Sequence, residues 1–222
     1  MSVITISRDL GSEGDYIADS VAQKLGYHLI EKNFFYKVLS QYGLVEFDRE
    51  YDELPGFWDQ FDAKRAQKRD EEVVMLNRVI RAIAQHGNSV ILGRSGYEVL
   101  KEFSGIFHVR LQAPRNIRIA RIMEERHIPL EQAKTIIEEN DKLHKAFIQE
   151  YYEIPWDAVR AFDLVINTNK VSPDMAVAWI VDAVKQMGNI AEPNTFPSNL
   201  IENDPILKGT VSECLSCELT HW

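Results

Sequence analysis

The first 25 residues constrain the fold most, because a β-branched run, a glycine loop and a helical pattern follow one another there. Residues 3–7 (VITIS) are typical of a buried strand, and residues 8–15 (RDLGSEGD) are typical of a loop. Apolar residues then recur at helical spacing as far as Leu25, and Gly26 ends the pattern. Because such a frame binds phosphate through backbone N–H groups and a helix N-terminus, the segment predicts a nucleotide-binding fold.

The side chains of this loop differ from those of a P-loop, which reads G-x-x-x-x-G-K-[ST]. The two glycine positions of that pattern fall on Arg8 and Glu13, the lysine position on Gly14 and the hydroxyl position on Asp15. A carboxylate beside a polyphosphate is repulsive by on the order of 1 kcal/mol. A bound Mg²⁺ would reverse that sign, since hard cations take carboxylate ligands. The acidic residues therefore leave two alternatives open: they hold a metal ion, or they exclude phosphate.

Composition and charge narrow the class of protein. The chain has 222 residues, of which 45% are hydrophobic and 27% charged, enough for one sizeable α/β core or two small ones. No apolar run approaches the roughly 20 residues that span a bilayer, and the chain enters a strand almost at once, so we expect no signal peptide and a cytoplasmic protein. A net charge of −9 disfavours broad nucleic-acid binding, so an anion site requires a local cluster of basic residues.

Short apolar runs alternate with helical patterns along the first 187 residues. Four runs after the first predict further strands, near residues 27–30, 89–92, 106–111 and 163–167. Near-continuous apolar strands that alternate with helices predict an α/β fold, in which a five-stranded parallel sheet carries helices on both faces.

Three polar segments follow strands of this predicted sheet directly. They are the loop around Gly11, residues 31–37, and Gly93-Arg94. In parallel sheets, ligands bind at the carboxyl ends of the strands, so we expect these segments to converge on one edge.

Several motifs, in this order, resemble the cytidylate kinase-like family, a branch of the P-loop nucleoside monophosphate kinases. They are ITISR at residues 4–8 with Gly11, Ser12 and Gly14, VILGR at 90–94, QAP at 112–114 with Arg118 and Arg121, NDK at 140–142, YY at 151–152 and DLVINT at 163–168. Each motif is weak alone. Their shared order across residues 1–187 makes the resemblance specific.

The resemblance implies a three-layer P-loop kinase-like fold and phosphoryl transfer from ATP, with Mg²⁺, to a nucleoside monophosphate-type acceptor such as CMP. It implies one domain over residues 1–187, with an acceptor-binding region at about 31–86 and a lid at about 115–152. The residues implied around the donor phosphates are Arg8, Gly11, Ser12, Glu13, Gly14 and Asp15, with Asp15 as the candidate Mg²⁺ ligand.

The resemblance also implies roles for basic residues outside the loop. Lys37 and Arg94 would bind the acceptor phosphate, and Arg118, Arg121 and Lys142 would lie around the lid. Phosphoryl transfer depends on positioning and on cations near the moving phosphate, which explains the need for several such residues. The alternative for Arg115, Arg118 and Arg121 is a solvated helix face that pairs with acids such as Glu124 and Glu125.

Three residues depart from the family pattern. Glu13 stands where the family usually has glycine, Asp15 where it often has a basic residue, and His144 where it has a lid arginine. These departures favour a second hypothesis, a catalytically degenerate homologue that acts as a nucleotide sensor or a structural subunit. The retained Lys37 and Arg94, like the retained lid cations, favour the kinase.

Residues 188–222 are rich in Asn, Pro and Ser and show no sustained period, so they predict a tail without a core of its own. Cys214, Cys217 and His221 have zinc-like spacing but supply only three ligands, so we expect reduced thiols and no zinc. Aromatic residues within 47–58 predict a pocket wall or an interface. With the tail, they predict a homodimer or a protein partner.

Overall fold

A five-stranded parallel sheet forms the centre of the molecule in a computed structural model, which describes residues 2–44, 63–153, 159–187, 196–198 and 201–218. Its strand order is β2-β3-β1-β5-β6, and a separate parallel pair joins β4 to β7. The strands are β1 (Val3–Arg8), β2 (His28–Ile30), β3 (Ser89–Leu92), β4 (Phe103–Ser104), β5 (Ile106–Gln112), β6 (Leu164–Asn167) and β7 (Phe196–Pro197). The five predicted strands and their parallel pairing are confirmed.

Eight α-helices and one short 3₁₀ turn, Val159–Ala161, lie among the described residues. No helix in this part of the chain is long and apolar enough to cross a membrane. The helices are α1 (Gly14–Leu25), α2 (Lys32–Ser40), α3 (Ala63–His86), α4 (Gly96–Val99), α5 (Arg115–Arg126), α6 (Leu130–Tyr152), α7 (Pro173–Met187) and α8 (Pro205–Glu218).

Helices cover both faces of the sheet, which gives three layers. Successive strand side chains point to opposite faces, so Val3 joins one core and its neighbour Ile4 joins the other. The Val3 core packs against α2, α3, α4 and α8, and the Ile4 core packs against α1 and α7. Both cores hold the β1 backbone in place, so the loop that follows β1 leaves the sheet from a rigid strand.

Helices α5 and α6 form a pair with a small core of its own. Ile119 and Ile122 of α5 pack against Ala133 and Ile137 of α6, and Leu10 of the loop after β1 packs against this cluster. The α5–α6 pair, the region expected to form the lid, is therefore in apolar contact with the loop.

The segment after residue 187 contains a helix that the sequence analysis does not predict. Residues 205–218 form helix α8, and its Leu207, Val211, Cys214 and Leu215 are buried in the core that includes α2 and α3. The sequence did not indicate this helix, because Asn, Pro and Ser dominate residues 192–199 and the helical spacing of the apolar residues begins only at Leu207. This part of the tail completes the core on one face of the sheet.

Candidate functional site

The carboxyl ends of β1 and β3 bring two of the predicted segments together. Ile6 pairs with Leu92 in the parallel register, and the Gly93 N–H donates to the Ile6 carbonyl at 2.9 Å. Strand β1 continues to Arg8, so Arg8 and Arg94 lie at the same edge of the sheet, next to the Gly11 loop. The strand order therefore places basic side chains beside a phosphate-type loop.

The loop after β1 is a tight turn against α5. Gly11 has φ +79°, and a Cβ at this position would lie 2.8 Å from the Arg118 carbonyl oxygen, so only glycine fits. The buried Ser12 hydroxyl donates to the Asp9 carbonyl at 2.7 Å. Glu13 adopts φ +63° as the residue before α1, whose helix begins at Gly14. The turn therefore places the N-terminus of α1 at the edge of the sheet.

A cavity of about 450 Å³, the loop cavity, lies over this turn and the first turn of α1. Its lining includes five of the six predicted loop residues, together with residues of α1, α5 and α6: Arg8, Gly11, Glu13, Gly14, Asp15, Tyr16, Arg121, Glu124, Asn140 and His144. Backbone N–H groups and cations around such a space suit a phosphate chain.

A second cavity of about 250 Å³, the Arg94 cavity, lies beside the first. Its lining includes a buried cation and two aromatic rings, from residues Ser7, Gly93, Arg94, Ser95, Tyr97, Leu143, Phe147 and Ile148. Arg8, Asn140 and His144 line both cavities and so form the wall between them. The site therefore has two compartments that meet at three side chains.

The turn that carries Arg94 is conformationally costly. Gly93, Arg94 and Ser95 have φ of +76°, +52° and +55°, so three successive residues occupy the left-handed region. For residues other than glycine this costs of order 1–3 kcal/mol each, and such residues cluster at functional sites. The turn buries Arg94 to 7% exposure at the edge of the second cavity.

Two of the arginines on α5 are held by the protein itself. Arg118 donates from Nη1 and Nη2 to the two carboxylate oxygens of Asp141, at 3.0 and 2.7 Å. Arg121 donates to the carbonyls of Gly11 and Thr168, at 3.1 and 2.9 Å, and its Nε lies 3.2 Å from Glu13 Oε1. These guanidinium groups therefore fix the loop to α5 and α6.

The ion pairs of these arginines among the described residues are not with Glu124 and Glu125 of the same helix. Arg115 pairs with Glu138, Arg118 with Asp141 and Arg121 with Glu13. All three partners lie on other elements. Helical spacing could not find them, because it reports only neighbours on the same helix.

Both unusual acids of the loop have arginine neighbours. Glu13 Oε1 lies 3.2 Å from Arg121 Nε, and Asp15 Oδ1 lies 3.4 Å from Arg8 Nε. The Asp15 side chain is 76% exposed and faces the loop cavity. Ion pairing reduces the negative charge of the loop. The two alternatives stated from the sequence, that the acids hold a metal ion or that they exclude phosphate, did not include these ion pairs.

A buried ion pair below the site was not predicted from the sequence. Arg110 Nη2 donates to Asp9 Oδ1 at 2.5 Å, and its Nη1 donates to Ser7 Oγ at 2.8 Å. Burial raises the pKa of Asp9, and the charge of Arg110 opposes that rise. The sequence carries one signal for this ion pair: Arg110 lies inside the apolar run of β5, and a buried charge requires a partner.

His144 is held neutral at the wall between the cavities. Burial lowers its pKa to about 4, and the positive charges of Arg8, Arg110 and Arg94 act in the same direction, while Asp141 opposes them. A neutral imidazole thus stands where the family resemblance calls for a cation.

The two predicted lysines lie away from this centre. Lys37 is exposed on α2 and Lys142 is exposed on α6, and neither lines the two cavities. Their roles stay predictions. The aromatic segment 47–58 lies outside the described residues.

The donor set of the loop fits a magnesium ion that arrives with a nucleotide. In the described ranges, no group of three His, Cys, Asp or Glu side chains could hold a metal ion alone. Glu13 and Asp15 each present a carboxylate to the loop cavity, and Mg²⁺ is commonly bound by one or two carboxylates plus substrate phosphates. Of the candidate zinc ligands, Cys214 is buried in the core, and the His221 and Cys217 side chains lie outside the described residues.

Comparison with known proteins decides the family. The model of the cytidylate kinase-like family matches residues 3–170. The chain belongs to this family. A cytidylate kinase of Natronomonas pharaonis is 27% identical over 183 residues, which cover 82% of this chain and 88% of the relative. A cytidylate kinase of Sulfurisphaera tokodaii is 27% identical over 184 residues, covering 82% of this chain and 93% of the relative.

A solved structure supports the fold. An uncharacterized protein from Eubacterium ventriosum superimposes with a TM-score of 0.63 at 21% identity, covering 84% of this chain and 99% of that one. The predicted resemblance and the α/β kinase-like fold are confirmed. Family membership supports a nucleotide kinase, and it gives no support to the alternative of a degenerate homologue.

Proposed function

We propose that this protein is a nucleoside monophosphate kinase, which transfers the terminal phosphoryl group of ATP to an acceptor of the CMP type. The observation that carries the proposal is the pair of adjacent cavities at the carboxyl edge of the sheet, which share Arg8, Asn140 and His144 as a wall. A phosphotransferase needs two anion sites in contact, so that donor and acceptor phosphates meet. The names of the curated relatives support CMP as the acceptor.

The loop cavity would bind the donor triphosphate. The N-terminus of α1 supplies backbone N–H groups and the positive end of the helix dipole. Arg8 supplies a cation at one side, and Asp15 would hold the Mg²⁺ that accompanies ATP. When bound, that ion would offset the charge of the phosphate oxygens.

The Arg94 cavity would bind the acceptor. The buried Arg94 guanidinium would pair with the acceptor phosphate, because arginine matches phosphate through two parallel N–H donors. Tyr97 and Phe147 supply aromatic walls that suit a base. Tyr97 is itself supported by the ring of Phe162, whose centroid lies 4.6 Å away.

Transfer would then need no nucleophile from the protein. An oxygen of the acceptor phosphate attacks the terminal phosphorus of ATP, and the bond from that phosphorus to the bridging oxygen of ADP breaks. The products are ADP and a nucleoside diphosphate. Arg118 and Arg121 act here as positioning residues that hold the loop, and Lys37 and Lys142 are proposed as outer cations.

A turnover assay tests this function. Purified protein is mixed with ATP and Mg²⁺, and ADP release is followed with CMP, dCMP, UMP or AMP as the acceptor. We expect acceptor-dependent ADP release that is fastest with CMP or dCMP. If no acceptor raises ADP release above the background with ATP alone, and calorimetry detects binding of neither ATP nor CMP, the proposed function is wrong.

A further inference from the structure

We propose that Arg8 supplies the phosphate-bridging cation that a P-loop lysine would otherwise provide, and that it does so from the end of β1. This inference rests on the proposed function, since it assigns a role within the same site. Its first support is position: Arg8 lines both cavities, whereas Arg94 lines only the second and Arg121 only the first.

The path of the Arg8 side chain explains the glycine that replaces the lysine. A Cβ on Gly14 would lie 2.4 Å from Arg8 Cγ and 2.7 Å from Arg8 Cβ, so a side chain at residue 14 collides with the stem of Arg8. The lysine position of the P-loop pattern is therefore filled in space by an arginine from another part of the loop.

The guanidinium end of the Arg8 side chain lies against a second glycine, Gly93. A Cβ on Gly93 would lie 2.6 Å from Arg8 Nη1, so the guanidinium rests against the turn that leads to Arg94. Arg8 thus runs from the start of α1, at the loop cavity, to the turn after β3, at the Arg94 cavity. Two glycines, one at the start of α1 and one directly after β3, leave the channel that this path requires.

The existing partner of Arg8 is one that phosphate can replace. Arg8 Nε lies 3.4 Å from Asp15 Oδ1, a long contact to a carboxylate that is 76% exposed, and the Arg8 side chain is 30% exposed. Arg110, by contrast, is buried against Asp9 and Ser7 at 2.5 and 2.8 Å. Phosphate oxygens would therefore displace the protein partner of Arg8 more readily than the protein partners of Arg110.

The decisive probe is a bisubstrate nucleotide, in which five phosphates join adenosine to cytidine, because it occupies both cavities at once. Calorimetry compares its Kd with the Kd values of ADP and CMP for wild type, Arg8→Gln, Arg8→Lys and the surface control Arg81→Gln. Arg81 is exposed on α3, outside both cavities. We expect Arg8→Gln to weaken the bisubstrate about 30-fold, the range for hydrogen bonds to a charged group, and ADP or CMP much less.

A relocated cation provides the sharpest test. In Arg8→Gly the space beside residue 14 opens, because both the Cβ and the Cγ of Arg8 are removed, so the double variant Arg8→Gly/Gly14→Lys can carry its charge at the P-loop position. We expect it to recover part of the bisubstrate affinity and turnover lost in Arg8→Gly. In the wild-type background, Gly14→Lys should lower both, because its Cβ collides with Arg8.

The outcomes separate the two proposals. If wild type binds the bisubstrate and Arg8→Gln binds it equally well, the role of Arg8 is overturned and the proposed function stands. Equal weakening of all three nucleotides with a lowered melting temperature would also overturn that role, since it indicates a structural residue. If wild type binds none of the nucleotides, the proposed function itself fails.

Discussion

The arginines at the strand ends and the arginines on α5 differ in where their side chains lie. Arg118 and Arg121 donate to protein oxygens at 2.7–3.3 Å, and they tie the loop to α5, α6 and the end of β6. Arg8 and Arg94 line the cavities at the ends of β1 and β3. Basic residues of one family pattern therefore divide into those that hold the loop through contacts with protein oxygens and those that line the cavities.

Loss of Arg94 gives the largest expected effect on turnover. Arg94→Gln removes the buried cation of the second cavity, and removal of one such group typically lowers kcat by about 10²–10³-fold. Steady-state kinetics with ATP and CMP measure this loss, with Arg81→Gln as the control. Wild-type kcat in Arg94→Gln would mean that the acceptor binds elsewhere. It would also contradict the distinction between arginines that hold the loop and arginines that line the cavities.

Loss of Arg118 is expected to affect stability first. Arg118→Ala leaves Asp141 without its two-point partner in a partly buried site, so we expect the free energy of unfolding to fall by about 2–3 kcal/mol. Urea denaturation measures it. The matched control is Arg115→Ala, whose pair with Glu138 is more than half exposed on both sides and should contribute less than about 1 kcal/mol. Equal losses in the two variants would contradict the distinction.

Acid should destabilise the protein through His144. Burial and Arg8 lower its folded-state pKa to about 4, below the ordinary value of 6.5, so the unfolded chain takes up the proton first. Stability is therefore complete above pH 6.5 and is lost as the pH falls towards 4, by about 2 kcal/mol between pH 7.5 and 5. Urea denaturation at both pH values should show a smaller loss in His144→Gln. An identical pH dependence in that variant would mean that His144 does not titrate this way.

The two exposed lysines should show the smallest effects. Lys37→Gln and Lys142→Gln remove charges outside both cavities, and exposed charges are strongly screened, so we expect kcat/KM to fall by less than about threefold. The same kinetic assay measures them beside Arg94→Gln. A loss comparable to that of Arg94→Gln would show that α2 or α6 approaches the phosphates during turnover.

The sheet and the edge that carries the site were predictable because they depend on local patterns. The apolar runs of β1 and β3, each followed by a loop that contains glycine, placed the Gly11 loop and Arg94 at one edge through parallel topology alone. The partners of the arginines were not predictable. Arg118 and Asp141, like Arg110 and Asp9, meet through tertiary packing of separate elements, and spacing in the sequence carries no record of that contact.

The position of the Arg8 side chain was only partly predictable. The absence of a lysine at Gly14 was visible in the sequence, but its steric reason was not, because the stem of Arg8 crosses that position only in the folded loop. Helix α8 was missed for a different reason: its apolar spacing is short and follows a polar, proline-rich stretch.

Helix α8 has a consequence for how the chain is made. Its buried residues close the same core as α2 and α3, yet they follow both helices far along the chain. Until α8 has been synthesised and has docked, the core that contains Phe34 and Leu76 lacks the apolar side chains that α8 supplies. A nascent chain stalled before α8 therefore exposes apolar surface that the folded protein buries, and such surface promotes aggregation.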